Sequence, residues 1–276
     1  MEPVKIMING LPGNVASVLA ARAVKDKRFR VIPGSLTGPE ITEKEHTAGG
    51  VSFGLIPPQQ RQDAIESIMR EEGGFVAIDF THPGAVNENA EFYCKNSIPF
   101  VMGTTGGDRE RLAQTIEKSD TCAVIAPNMA KQIVGFQAMM EYTADNFPGL
   151  FAGYELTIEE SHQQTKADTS GTAKAMVKYF NKLGVDFSRD DIIMIRDPEQ
   201  QKNRLGVPEQ YVSGHGWHTY TLVSADGTVT FRFTHNVNGR EIYAQGTFDA
   251  VNFLAGKIAA KERGRVYSMI DVLKGA

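Results

Sequence analysis

The sequence predicts an α/β protein: an N-terminal Rossmann domain on a doubly wound parallel sheet, followed by an α+β domain with a mixed sheet. Short apolar runs alternate with amphipathic runs of helical period over the first part of the chain, the pattern of βαβ units. The first apolar run ends in a glycine-rich turn, Gly10-Leu11-Pro12-Gly13, that opens a helical pattern. After about Met129 the runs alternate with period two, and Asp226-Gly227 between two of them is a hairpin signal.

The elements follow in order. Val4 to Asn9 is a strand, Val15 to about Lys25 a helix, and Phe29 to Ile32 a second strand broken by Pro33-Gly34. Arg61 to Arg70 places Ala64, Ile65, Ile68 and Met69 on one helical face. Phe75 to Phe80 is a buried strand, Ala85 to Asn96 a helix, and Ile98 to Met102 a strand. Arg109 to Ser119 is a helix and Cys122 to Ala126 a strand. Lys131 to Asn146 is a long helix, and Ala173 to Leu183 another. Tyr154 to Glu159, Ile192 to Arg196, Trp217 to Ser224, Thr228 to Asn236 and Ile242 to Gln245 are expected second-domain strands. Thr247 to about Lys261 is the final helix, and it and the segment Tyr267 to Leu273 are candidates to rejoin the first domain.

Composition narrows the function classes. The chain has 276 residues, 41% of them hydrophobic and 22% charged, which suits a two-domain globular protein with a real core. A net charge of −4 supplies no basic face for nucleic acid. No apolar stretch is long enough for a membrane span, and no leader pattern opens the sequence. Cys94 and Cys122 lack any paired or metal spacing and read as reduced thiols in a cytoplasmic compartment. The histidines form no HExxH or His/Cys cluster, so no metal is expected.

The N-terminal turn reads Gly10, Leu11, Pro12, Gly13, Asn14, Val15, Ala16, a G-x-x-G-x-x-A variant of the dinucleotide fingerprint. Gly10 allows the tight turn, Gly13 the approach to a pyrophosphate, and Ala16 close helix–strand packing. The second strand ends without the carboxylate that NAD sites use on the ribose. Ser35 and Thr37 offer hydroxyls to a 2′-phosphate, with Arg22 or Lys25 as charge partners, against the alternative of ordinary loop residues. NADPH is therefore the favoured cofactor and NADH the competitor. Gly103, Thr104 and Thr105 follow the fourth strand, and Ala126, Pro127, Asn128 and Met129 the fifth. Ligands of open parallel sheets sit beyond such strand ends, where these small residues leave room for a nicotinamide.

The segment ESHQQTKADTSGTA gathers the chemistry. His162 is a titratable acid, Lys166 a cation four residues on, and Ser170-Gly171-Thr172 a turn at a helix start. A helix start presents unpaired N–H groups and a positive dipole end to a carboxylate. An imidazole with an ordinary pKa of about 6.5 supplies a proton near neutral pH. The combination predicts proton transfer to a small anionic substrate. Read singly, the same residues are a packed histidine, a solvated lysine and a helix cap. Asp79 and Thr81 are expected to position other groups, and His215 to hydrogen-bond within the fold. Two rival functions are weighed. A semialdehyde-type dehydrogenase needs a nucleophilic cysteine, which neither Cys94 nor Cys122 provides; a cofactor-sensing module has no use for His162 with Lys166.

With ESHQQTKADTSGTA, GTTGG, APNM and FVAIDFTHPGAV in place, the chain resembles the dihydrodipicolinate reductase family from VKIMING to VYSMIDVLKGA. It is most similar to the plant-type branch, through VMGTTGGDRERL, Lys131-Gln132, IRDPEQQ and GVPEQYVSGH. The resemblance implies NAD(P)H-dependent reduction of 4-hydroxy-tetrahydrodipicolinate, with domain closure over a small dicarboxylate. It implies residues 1–130 with 246–276 as cofactor domain and 131–245 as substrate and oligomerisation domain. It places the cofactor at Gly10 to Val15, Gly103 to Thr105 and Ala126 to Met129, the proton donor at His162, the second donor at Lys166, and a carboxylate cradle at Gly171 and Thr172. The family's cofactor-loop arginine is Asn14 here, and its frequent second histidine is Gln163, making a substrate contact an amide. Lys131 replaces a small residue and adds a carboxylate ligand. A homodimer or homotetramer is implied, in cytoplasm or plastid stroma.

Overall fold

The computed structural model describes residues 2–275. The chain divides into two compact units, Met1–Lys131 with Tyr243–Ala276, and Gln132–Ile242.

In the first unit, β1 (Val4–Asn9), β2 (Phe29–Val31), β6 (Val76–Asp79), β7 (Phe100–Met102), β8 (Cys122–Ile125) and β13 (Arg265–Tyr267) form a parallel sheet in the order β13-β8-β7-β6-β1-β2. Chain order reverses between β1 and β6, so their carboxyl ends flank a topological switch point, where open α/β sheets bind ligands. The strands are short and β6 and β7 are buried throughout, as a sheet covered on both faces requires. The helices α1 (Asn14–Ala23), α2 (Arg61–Glu72), α3 (Val86–Lys95) and α4 (Arg109–Glu117) alternate with them. Tyr93, Phe100, Val86 and Leu112 meet in the core between sheet and helices. A small second sheet, β3 (Gly34–Leu36), β4 (Glu45–Ala48) and β5 (Val51–Ile56), stands beside this one in the order β3-β5-β4.

The second unit is built on β9 (Tyr154–His162), β10 (Ile193–Ile195), β11 (His215–Ser224) and β12 (Thr230–Asn238), in the order β10-β9-β11-β12. Strands β9 and β10 are parallel and the other pairs antiparallel, so the sheet is mixed. The Asp226-Gly227 turn joins β11 to β12, with Gly227 at φ +72° and the Asp226 carboxylate accepting from the Thr228 N–H and hydroxyl. Helices α5 (Lys131–Asn146) and α6 (Gly171–Lys182) bury Met140, Ala144, Met176, Val177 and Phe180 with Ile158, Tyr220 and Leu222 of the sheet. After β10 a short turn α7 (Pro198–Gln200) leads into a π-helical turn over Gln201–Leu205.

One expectation needs correction. Ile242 to Gln245 is no strand but lies in the first turns of α8 (Glu241–Ala259). Four alternating residues fit either period, and Gly239, at φ +73°, ends β12 and turns the chain into the helix. Pro33 breaks the strand as expected: β2 ends at Val31, and Gly34 starts β3, whose partner β5 lies well downstream in sequence. The closing segment is β13 followed by α9 (Met269–Lys274), with Ser268 and Asp271 forming a capping box. Gly246 brings α8 against the β8 loop: a Cβ there would lie 1.8 Å from the Met129 carbonyl oxygen.

Candidate active site

In the first unit, a cleft of about 880 Å³ opens at the switch point and is lined by Gly10 to Asn14, Thr37, Glu40, Arg61 and the Phe80–His82 loop. Gly10 has φ +104°, and a Cβ there would lie 2.2 Å from the Phe80 carbonyl oxygen. A Cβ on Gly13 would lie 2.7 Å from the Gly10 carbonyl oxygen. No side chain caps the start of α1, so its first-turn N–H groups face outward at the positive dipole end. Ala16 is fully buried beneath the turn. A crowded glycine turn, an uncapped helix start and this volume fit a dinucleotide.

The structure corrects the expected ribose contacts. Ser35 is fully buried; its hydroxyl accepts from the Leu11 N–H at 3.2 Å and cannot reach a ligand. Thr37 does line the cleft, donating its hydroxyl hydrogen to the Leu11 carbonyl at 2.8 Å. Arg22 and Lys25 fall at the carboxyl end of α1, about 12–15 Å along the axis from the turn by helix rise, so neither serves the cleft. Arg61 is the cation on the cleft wall, and Glu40 and Glu88 are its acids, the Glu40 carboxylate folded over Gly38.

The β7 and β8 loops lie farther along the same sheet edge. A Cβ on Gly103 would strike the Phe80 ring at 2.3 Å. Thr104 is buried and donates its hydroxyl hydrogen to Asp79 at 2.6 Å, so it braces the loop rather than facing it outward. Asp79 also accepts from Thr81, Asn89 and Tyr93, which bears out its positioning role. Thr105 and Pro127 are exposed, Ala126 and Met129 buried, and the Asn128 side chain caps the Ala130 N–H at 2.9 Å. Lys131 is paired with Asp249 at 2.5 Å, so the anticipated free cation is already engaged.

In the second unit, one face of the sheet changes from apolar to polar along its length. Period two puts Ile158, Glu160 and His162 of β9 on the same face, and register places them opposite Tyr220, His218 and Gly216 of β11. Ile158 and Tyr220 belong to the core; two residues on, the same face carries Glu160, His162 and His218. Gly216 makes room for His162, since a Cβ there would meet the imidazole Cε1 at 3.0 Å.

Glu160 organises this patch although its carboxylate is wholly buried. One oxygen accepts from Arg196 at 2.5 Å and the other from the Ser170 N–H at 2.9 Å. Arg196 also donates to the Lys166 carbonyl at 2.8 Å and the Asp168 carbonyl at 3.2 Å, which shapes the loop between β9 and α6. Lys166 holds Asp168, a mostly exposed partner, at 2.6 Å. Ser170 is the N-cap of α6: its hydroxyl accepts from the Thr172 N–H at 3.2 Å, leaving the exposed Gly171 beside it. Gln201, fully buried, donates to the His162 carbonyl at 2.7 Å and the Ile195 carbonyl at 3.1 Å. Gln163 is half-buried at the end of β9.

His162 donates from Nδ1 to the His215 carbonyl at 3.1 Å, and its Nε2 faces His218 Nε2 at 3.1 Å. Burial, then the charges of Arg196 and Lys166, push its pKa down to about 4. This corrects the expectation of a ring that titrates near neutrality: in the ligand-free protein His162 is neutral at pH 7. His215 hydrogen-bonds Ser161 at 2.7 Å, the structural role expected of it. Glu160, His162 and His218 place one ligand atom each within 4.8 Å, but Glu160 is committed to Arg196 and the neighbouring cations oppose a metal ion.

The sequence thus identified His162, Lys166 and the Ser170–Thr172 turn, which the structure gathers on one patch. It missed Arg196, Glu160, Gln201 and His218, which come from other strands or read as ordinary strand residues. A buried acid at Glu160, two residues before His162 on the same strand face, was the available signal.

Comparisons with known proteins identify the family and the fold. Residues 4–129 match the family model described as dihydrodipicolinate reductase, N-terminus, and residues 133–273 the one for its C-terminus. The 4-hydroxy-tetrahydrodipicolinate reductase 2, chloroplastic, of Arabidopsis thaliana is 47% identical over 271 residues, covering 98% of this chain and 77% of that protein. The 4-hydroxy-tetrahydrodipicolinate reductase of Methanococcus aeolicus is 26% identical over 98% of both chains. A dipicolinate-bound dihydrodipicolinate reductase from Paenisporosarcina sp. TG-14 shares the fold, with a TM-score of 0.66 at 17% identity over 96% of this chain and 97% of that one. With both halves matched and a relative 47% identical over 98% of this chain, the chain belongs to the dihydrodipicolinate reductase family.

Proposed function

We propose that the protein reduces 4-hydroxy-tetrahydrodipicolinate, by way of dihydrodipicolinate, to tetrahydrodipicolinate with a nicotinamide cofactor, in lysine and diaminopimelate biosynthesis. The observation that carries this reading is the single patch holding His162, Lys166, Arg196 and the start of α6 in a chain of this family. The first unit is read as the cofactor domain and the second as the substrate domain.

Gly10 to Val15 and the start of α1 would hold the pyrophosphate, with Gly103 to Thr105 and Ala126 to Met129 toward the nicotinamide. When bound, the reduced nicotinamide supplies hydride to ring C4 after the 4-hydroxyl has left as water. The chain's own residues manage the carboxylates and the proton. The Gly171 N–H and the Thr172 hydroxyl would take one carboxylate, while the Thr172 N–H stays with Ser170. Lys166 would exchange exposed Asp168 for substrate, balancing charge that develops on the ring. Gln163, at the end of β9, would contact the substrate as an amide. Lys131 would serve a carboxylate only by leaving Asp249. Two carboxylates beside His162 offset Arg196 and Lys166 and raise its proton affinity, so the imidazolium forms with substrate bound. Its Nε2–H, turned from His218 toward the substrate, would then protonate C3.

NADPH is the proposed preference, supported by Arg61 and Thr37 on the cleft wall; Glu40 is the feature that favours NADH. A homodimer or homotetramer through the second unit is supported by exposed Ile193 and Met194 on edge strand β10 and Phe231 on edge strand β12. A plastid stroma or cytoplasm suits the two free thiols, and no helix among the described residues is long and apolar enough to cross a membrane. The test is oxidation of NADPH and NADH, followed by absorbance, while dihydrodipicolinate synthase generates the substrate in situ. Faster use of NADPH is expected. A folded protein that binds NADPH yet oxidises neither cofactor sinks the reading.

A further inference from the structure

The hydrogen bonds around His162 continue past it into the sheet, and each fixes the direction of the next. A carbonyl only accepts, so the 3.1 Å contact to the His215 oxygen requires a hydrogen on His162 Nδ1. In the neutral ring Nε2 is then a lone pair, and His218 Nε2, facing it at 3.1 Å, must be the N–H. That leaves His218 Nδ1 as an acceptor, and the Tyr220 hydroxyl stands 3.2 Å from it. The hydroxyl oxygen in turn accepts from His235 Nε2 at 3.4 Å. The sequence of links ends at His235 Nδ1, which is buried and has no hydrogen-bond partner. Register builds this line: His218 of β11 lies directly opposite His235 of β12, with ring centroids 4.6 Å apart.

We propose that His218, Tyr220 and His235 form a proton-supply line that recharges His162 from the β12 edge of the sheet. The inference rests on the reductase reading, because only a turning-over acid needs recharging. A proton from solvent water, reaching His235 Nδ1 on its half-buried ring, lets Nε2 release its hydrogen to the Tyr220 oxygen. The hydroxyl passes its own hydrogen to His218 Nδ1, and His218 passes its Nε2 hydrogen to His162 Nε2. One proton enters and one positive charge appears on His162; no bond to carbon changes and nothing is oxidised or reduced. All three links survive with donor and acceptor exchanged. When His162 has given its proton to the substrate, the His218 and His235 rings must turn over before the next cycle, so the line acts on turnover.

The surroundings favour this direction of supply. The charged groups facing His162 are Lys166 from the loop after β9 and Arg196 from the end of β10, both of which repel an approaching proton. Glu160, from β9 itself, is neutralised by Arg196. From β11 come His215, spent on Ser161 and on the Tyr211 and Val212 carbonyls, and His218. His218 and Tyr220 are 3% and 0% exposed, while His235 is half-buried under the Phe136 ring of α5. The imidazole–phenol line is thus an uncharged route to His162.

Tyr220→Phe keeps the aromatic ring in the core and deletes only the relaying hydroxyl. The expected result is kcat lowered about tenfold, KM for both substrates unchanged, and a larger solvent deuterium isotope effect. A structural role for the hydroxyl would instead leave the isotope effect unmoved. Histidine ¹⁵N NMR of the free wild-type protein gives a readout without turnover: His162 as the Nδ1–H tautomer, His218 and His235 as Nε2–H. Wild-type kcat and isotope effect in Tyr220→Phe, or an Nε2–H tautomer at His162, overturns the proposal. Should Tyr220→Phe fail to fold, His235→Asn is read by the same criteria. An inactive wild type overturns the reductase reading and the supply line together, whereas an active wild type with an unaffected variant overturns the supply line alone.

Discussion

Arg196 reaches across from the end of β10 to hold the wholly buried carboxylate of Glu160 at 2.5 Å. This pair joins three parts of the second unit. Glu160 also receives the Ser170 N–H that precedes α6, and Arg196 also binds the backbone of the Lys166–Asp168 loop. The patch around His162 therefore depends on an ion pair that no local pattern displays.

Arg196→Gln strands a buried carboxylate, so a loss of about 3–5 kcal/mol in unfolding free energy is expected. Glu160→Gln, which keeps the shape and removes the charge, should cost less. Urea denaturation of both variants measures the difference, and equal small losses would show that the pair is not what holds the patch.

Acid should destabilise the protein over a defined window. His162 and His235 have folded-state pKa values of about 4, and His218 is also well depressed, each chiefly through burial. An unfolded histidine titrates near ~6.5, so between that pH and about 4 the unfolded chain binds more protons. Stability is full above ~6.5 and falls as pH drops toward 4, by on the order of 3 kcal/mol for His162 or His235. Urea midpoints at pH 7.5, 5.5 and 4.5 should fall in that order, and a flat series would mean the rings are charged in the fold.

Gly216→Ala places a methyl 3.0 Å from the His162 Cε1. The ring must shift by a few tenths of an ångström, so turnover should fall about three- to tenfold while NADPH affinity and the thermal midpoint change little. Unaltered turnover would show that the imidazole position is loosely required.

Ser170→Ala removes the hydroxyl that caps the Thr172 N–H. About 1 kcal/mol of stability should be lost, and substrate KM should rise as the helix start loosens. A KM equal to that of the parent would detach the α6 start from substrate binding.

Much of this was legible in the chain. The parallel sheet, the glycine turn, α5, and the run from His162 through Thr172 all rest on local signals: strand period, turn chemistry and helix starts. What failed was non-local. The β3-β5-β4 sheet pairs segments far apart in sequence, and the four residues from Ile242 alternate equally well at the start of a helix. Ser35 looked available as a hydroxyl at a strand end, yet burial turns it inward onto Leu11. Arg196 and His218 join the site only through strand order and register. The ordinary titration expected of His162 gave way to burial beside two cations, which composition does not show.

The most direct test compares wild type with His162→Gln at neutral pH, following NADPH oxidation while substrate is formed in situ. Steady oxidation by the wild type is expected. The rate should be lower by about 10²–10⁴-fold in His162→Gln, with unchanged NADPH affinity. A variant that turns over as fast as the wild type would contradict the assignment of the proton to His162.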